Sequence, residues 1–214
     1  RPQLICGLGI IALQQVTGEP TVLWYIGFIF RDAGIGDWAD MLVGVIKVTL
    51  TLASVLYVDR IGRKKLLYAG ISVQIVSLFV VALAFINYDC DAPMDLKKAV
   101  VAVFLLSYIG GYQIGFGPIG WALLSEVFPL EVRGQSLAFA GMLSAFLNLL
   151  STSMFEIEVN AIGDSGTFAI FGVISVYSLY FVYARVVETK GLSLEQITER
   201  FRELHSPTPP YAKV

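Results

Sequence analysis

Residues 99–124 form an apolar run without one charged side chain. A helix needs about 20 such residues to cross a bilayer, so a run of this kind is read first as a span. Five further stretches approach the same length: 4–29, 41–58, 66–86, 136–155 and 168–184. In lipid the backbone must satisfy its own hydrogen bonds, which leaves helices as the elements these stretches can form. Hydrophobic residues make up 56% of the chain and charged residues 15%. A soluble domain averages about 45–50% and roughly 25%. The expected fold is therefore an all-α membrane protein with six transmembrane helices spanning residues 1–184. A soluble tail is expected over residues 185–214, and no signal peptide is expected ahead of the first span.

The spans are not uniform. The first is cut by Leu13-Gln14-Gln15-Val16-Thr17-Gly18-Glu19-Pro20-Thr21, with Trp24 and Tyr25 just beyond. Pro20 cannot donate to the helical ladder and biases Glu19 away from α geometry, and Gly18 tolerates the bend. The freed carbonyls and amides need partners from other helices or from a water-filled cavity. Two readings are open: a substrate site of the kind transporters build from broken helices, or a kinked helix with packing glutamines. The fourth span repeats the pattern in Tyr112-Gln113-Ile114-Gly115-Phe116-Gly117-Pro118-Ile119-Gly120-Trp121. First and fourth of six are corresponding places in two three-helix units that cross in opposite directions. Paired interruptions of that kind point to a carrier built from inverted repeats. Lys47, in the middle of the second span, is expected to face a cavity and find a partner there, Glu19 being one candidate and acids outside this chain others, or else to bond helix carbonyls as a structural lysine.

Short polar links join spans two and three, through Asp59-Arg60-Ile61-Gly62-Arg63-Lys64, and spans four and five, through Ser125-Glu126 to Arg133-Gly134. Arg60, Arg63 and Arg133 are expected within pairing reach of Asp59 and Glu126. Such charges either form a gate that breaks between conformations or are simply solvated. Arg1, Arg60, Arg63, Lys64, Lys65, Arg133, Arg185, Lys190, Arg200 and Arg202 all fall on one side. The excess of positive charge makes that side cytosolic, or its organellar equivalent, with both termini there.

Other classes find little support. The net charge of −2 and the lack of a basic run offer nothing to nucleic acid. His205 is the one histidine, Cys6 and Cys90 fall near opposite faces, and so neither a metal cluster, a disulfide nor any other cofactor is expected. No nucleophile–base pair or phosphate loop suggests an enzyme.

Five motifs, in order and spacing, carry a family resemblance: Gln14-Gln15-x-Thr17-Gly18, Asp59-Arg60-x-Gly62-Arg63-Lys64, Gly117-Pro118-x-x-Trp121, Ser125-Glu126-x-Phe128-Pro129-Leu130-x-x-Arg133-Gly134 and Glu188-Thr189-Lys190-Gly191-Leu192-Ser193-Leu194-Glu195. Together they resemble the C-terminal six-helix half of the sugar porters of the major facilitator superfamily. Gly18-x-Pro20 with Lys47 is most similar to the hexose and xylose proton symporter-like branch. The resemblance implies half of a twelve-helix carrier, working by alternating access against an N-terminal six-helix half. Its substrate would be a monosaccharide. The coupling ion would be a proton, relayed by an acid of that other half. The family's sugar ligands map onto Gln14, Gln15, Gly117 and Trp121. Amides both donate to and accept from hydroxyls, and an indole offers a flat apolar face.

Where the chain departs from the family pattern, the expected site takes Thr21 beside Pro20, Lys47, Gln113, and Asn148 one turn beyond Ser144-Ala145. The resemblance implies an outer gate at Trp24 and Tyr25, and a cytosolic one from Asp59, Arg60, Arg63, Glu126, Arg133 and Glu188. A sugar sensor on the same scaffold, binding without transport, is the alternative. In the tail, Ser193-x-x-Gln196 has capping-box spacing, followed by apolar residues at helical intervals.

Overall fold

The computed structural model describes residues 2–32, 38–86 and 94–205, and the regular elements among them are all helices. The expected first span is two helices, α1 (Pro2–Val16) and α2 (Glu19–Asp32). The second and third are α3 (Trp38–Ile61) and α4 (Arg63–Ile86). The fourth is again two, α5 (Met94–Ile114) and α6 (Phe116–Val127). The fifth and sixth are joined in α7 (Leu130–Arg185), and α8 (Leu194–His205) closes the described chain. Four segments are long and apolar enough to cross a membrane whole: Met41–Ile61, Arg63–Ile86, Leu96–Val127 and Leu130–Arg185. The last has 56 residues, about twice what one crossing needs. With α1 and α2 end to end, six crossings result. Cys6 is a buried free thiol; Cys90 lies outside the described residues.

Two boundaries differ from expectation. Residues 156–167, expected between the fifth and sixth spans, are helical, and the break is confined to Gly163 at φ 74° and ψ 169°. Glycine alone reaches that region without strain. The Thr167 hydroxyl then caps the Gly163 carbonyl at 2.9 Å. The first notch also breaks earlier than expected. Gly18, at φ 92°, carries the turn. Glu19 is already helical, and Pro20 falls in the first turn of α2, where the missing N–H costs no bond.

Among the described residues the core has two large parts and a smaller one of Ile11, Leu124, Phe128 and Ala140. Ile10, Leu67, Ile71, Phe116, Leu123 and Val182 fill one, together with Ile197 and Phe201 of α8. Val22, Leu78, Leu105, Phe168 and Phe171 fill the other. At their boundary α4 and α5 meet backbone to backbone: a Cβ on Gly111 would stand 2.7 Å from the Gly70 carbonyl. Small residues allow that approach between spanning helices. At the start of α8 the Ser193 amide donates to Gln196 Oε1 (2.9 Å) and the Gln196 amide to Ser193 Oγ (3.4 Å), which is a reciprocal capping box. The Ser193 hydroxyl also donates to Glu195 and holds its carboxyl below the usual range.

The α3–α4 link is one residue, Gly62, at φ 103°. A Cβ there would stand 2.7 Å from Glu188 Oε2. Gly62→Ala is therefore expected to destabilise the protein by about 2 kcal/mol through backbone strain and a displaced carboxylate. Thermal unfolding of the purified protein reads this, and an unchanged Tm refutes it.

Candidate functional site

Both helix breaks free a carbonyl, and in each case a hydroxyl from another helix answers it. The Tyr108 hydroxyl of α5 donates to the Thr17 carbonyl at 3.0 Å. The Ser54 hydroxyl of α3 donates to the Ile114 carbonyl at 2.9 Å. Neither break is left unsatisfied, as lipid requires. The breaks are thus fixed features of the fold, and they stop the two helices at the level where the polar side chains gather.

Gln15, Glu19, Trp121, Ser144, Asn148 and Thr152 line a cleft of about 470 Å³ between α1–α2, α6 and α7. The Asn148 amide donates to Gln15 Oε1 at 3.1 Å. That contact orients both amides on the cleft wall. Lys47 reaches from α3 to Glu19, with Nζ 3.0 Å from Oε1. Glu19 occupies the first turn of α2, where the helix dipole favours an anion. Beyond Thr152 the cleft passes into a second of about 530 Å³, lined by Thr21, Tyr25, Phe155, Glu156 and Asn160. The buried Thr21 hydroxyl has no partner among the described residues. Tyr25 meets Phe85, Phe155 and Phe168 edge-on, with centroids 5.2–6.1 Å apart. Trp24 lies in α2, and its side chain is outside the described residues.

The remaining expected ligands sit behind the cleft. Gln14 is buried and donates to the Tyr112 hydroxyl at 2.8 Å, while its Oε1 has no partner among the described residues. Gln113 accepts from the Thr51 hydroxyl at 2.9 Å. A Cβ on Gly117 would stand 2.8 Å from Gln113 Oε1, so this glycine makes room for the amide. Gln14, Gln113 and Gly117 line neither cleft.

At the other end of the bundle Arg63 binds Glu126 Oε1 through Nη2 (2.8 Å) and Nε (3.1 Å), and Asp59 through Nη2 at 2.9 Å. Thr189 donates to the second Glu126 oxygen at 2.6 Å. Glu188 accepts the first amides of α4, from Arg63 (3.0 Å) and Lys64 (3.2 Å). It caps that helix with a charge the dipole favours. Arg60 contributes its carbonyl, to Lys190 Nζ at 2.6 Å. Arg133 departs from expectation. Its guanidinium turns to the Phe128 carbonyl at 3.4 Å, just past the end of α6, rather than to an acid.

A family model described as "Sugar (and other) transporter" matches residues 1–201. The chain belongs to this family of sugar transporters. It is 41% identical to D-xylose-proton symporter-like 1 of Arabidopsis thaliana over 88% of this chain and 37% of that protein. It is 32% identical to the D-xylose transporter of Levilactobacillus brevis over 94% of this chain and 44% of that one. A solved structure of the major facilitator proton:xylose symporter XylE, bound to 6-bromo-6-deoxy-D-glucose, superposes with a TM-score of 0.80 at 28% identity, covering 92% of this chain and 42% of that chain. The chain thus spans under half the length of these relatives and has the fold of part of a major facilitator transporter. It belongs to a family of membrane transporters, not of enzymes.

Some residues at and behind the cleft escaped sequence reasoning. Thr152 lines it, and Thr51, Ser54 and Tyr108 bond groups of the two helix breaks. A signal existed for two of them: Lys47, Thr51 and Ser54 recur at i, i+4 and i+7 and so share one face of an apolar helix. Tyr108 had none, since one more aromatic in an apolar span reads as packing.

Proposed function

We propose that this chain is the C-terminal half of a carrier that moves a monosaccharide, a pentose or hexose, by alternating access coupled to protons. In this reading residues 1–184 are the membrane unit, residues 185–214 are a cytosolic tail, and both termini face the cytosol. The observation that carries the reading is the cleft itself. Two amides held against each other (Gln15 and Asn148) and an indole (Trp121) share one wall, which is the chemistry a polyhydroxylated ring needs. The names of the relatives, xylose transporters and proton symporters, support the substrate class and the coupling ion. Tyr25 would close the outer side. Arg63, Glu126, Asp59 and Glu188 would hold the cytosolic ends of α3, α4 and α6 together in one state and release them in the other.

The test is uptake by the complete carrier. Gln15→Ala and Trp121→Ala are each expected to raise the sugar KM about tenfold or more while leaving membrane expression intact. A lost polar contact to a buried hydroxyl costs about 1–3 kcal/mol. Unchanged uptake kinetics in both variants refute the site.

A further inference from the structure

We propose that the second cleft is a separate sugar subsite, so that this carrier holds a disaccharide with one ring in each cleft. The inference rests on the reading of the first cleft as the sugar site and extends it. The volumes of the two, about 470 and 530 Å³, both fall in the range of small-molecule sites, about 300–1,000 Å³. The clefts follow one another along α7. Asn148, Thr152 and Glu156 recur at i, i+4 and i+8 and so share one face of that helix. Thr152 lines both clefts, with Asn148 in the first and Glu156 in the second. From Asn148 to Glu156 is about 12 Å of helix, more than one ring covers and within reach of two joined rings.

The lining of the second cleft has the chemistry of a sugar site. Glu156 offers a carboxylate that accepts from two hydroxyls at once, and Asn160 an amide that both donates and accepts. Tyr25 and Phe155 add aromatic rings, edge to face with centroids 6.1 Å apart, as an apolar wall for the carbon–hydrogen face of a sugar. The hydroxyl of Thr21 decides what kind of occupant fits. Thr21 is 1% exposed, lines this cleft and leaves its Oγ1 without a partner among the described residues. Such a group is costly unless something answers it. An apolar spanning helix seated in the cleft would leave Thr21, Glu156 and Asn160 all unanswered. The occupant is therefore polar, and a polyhydroxylated ring meets all three while its apolar face meets the two aromatics.

A single ring is held in the first cleft by Gln15, Asn148 and Trp121. A disaccharide keeps that ring in place and sends its second ring past Thr152. The Thr152 hydroxyl donates to the Asn148 carbonyl at 2.9 Å, which turns its hydrogen away from the passage. The second ring lies further along α7 from the Arg63–Glu126 end of the bundle than the first. Joined rings thus gain contacts that a single ring does not make.

The experiment uses the complete carrier in detergent and reads Kd by titration calorimetry, with glucose and the disaccharide cellobiose as probes. The unaltered carrier is expected to bind both. Glu156→Ala and Asn160→Ala are each expected to weaken cellobiose about tenfold or more, as the loss of a polar contact to a buried hydroxyl does, and to leave glucose affinity unchanged. Retained glucose binding shows that each variant is folded. Unchanged cellobiose binding in both variants, or equal weakening of the two sugars, overturns the proposal. Glucose binding without cellobiose binding in the unaltered carrier also overturns it and leaves the carrier reading intact. If neither variant folds, a structure of the unaltered carrier with cellobiose decides. A second ring bonded to Glu156 or Asn160 supports the subsite, and a second ring elsewhere overturns it. Absence of binding of either sugar to the unaltered carrier sinks the carrier reading and this proposal with it.

Discussion

Lys47→Met is expected to lower the stability of the complete carrier by about 2–3 kcal/mol, and adding Glu19→Gln to recover most of that loss. The single change leaves a carboxylate of low exposure without its 3.0 Å partner. Breaking a buried ion pair by removing one member costs about 3–5 kcal/mol, whereas replacing both with neutral groups is often near neutral. The lower figure applies because the Lys47 side chain retains 32% exposure, so the pair is only partly buried within this chain. Thermal unfolding of the single and double variants in detergent measures the coupling as a double-mutant cycle. The Lys47→Met protein still reaches the membrane, since a lysine is lost from a span rather than introduced into one. Its uptake is expected to change in sugar selectivity or in pH profile. A double variant no more stable than Lys47→Met shows that the pair does not couple, and unaltered selectivity and pH profile make Lys47 scaffold.

Arg63→Ala is expected to reduce maximal turnover about tenfold or more, with the sugar KM within a few-fold of the unaltered carrier. Arg63 is the hub of the cluster at that end, joining Glu126 on α6 to Asp59 on α3. Its side chain is only 14% exposed, so its charge-assisted bonds are less screened than those of a surface pair. The cluster lies away from the cleft, so under the proposed gate its loss would shift the balance between conformations rather than remove contacts to substrate. A tenfold change in turnover corresponds to about 1.4 kcal/mol, less than two charged hydrogen bonds can supply. Arg133→Ala serves as the contrast. Its guanidinium bonds a carbonyl at 3.4 Å, and its turnover is expected to fall much less. Equal losses in the two variants, or a loss of binding alone in Arg63→Ala, contradict this assignment.

Much of the architecture follows from the sequence read as physics. Hydropathy alone separates the six crossings, because a bilayer demands a length of apolar helix and little else. Gly18 marks the first interruption, since the chain can turn there at positive φ without strain, and Gly115 marks the second, where a Cβ would stand 3.2 Å from Gly70 Cα. The spacing of Ser193 and Gln196 is enough to start α8, because a capping box is a local device. Even the pairing of Lys47 with Glu19 is legible, since a lone charge inside a span must find a partner and acids there are few.

What only the tertiary structure decides is which side chains meet across helices. Gln15 lies on the cleft while its neighbour Gln14 turns behind it to Tyr112. Tyr108 answers a carbonyl 91 residues away. Glu188 caps a helix that begins 125 residues earlier, and Arg133 chooses a carbonyl over an acid. In a soluble helix a polar face and an apolar face record such orientations in the sequence. In a spanning helix the lipid-facing and protein-facing sides are both apolar, so the record is erased. The rotation of each helix is then set by close packing, as where Gly70 and Gly111 let two backbones touch. Those contacts join residues far apart in the chain, and no local pattern encodes them.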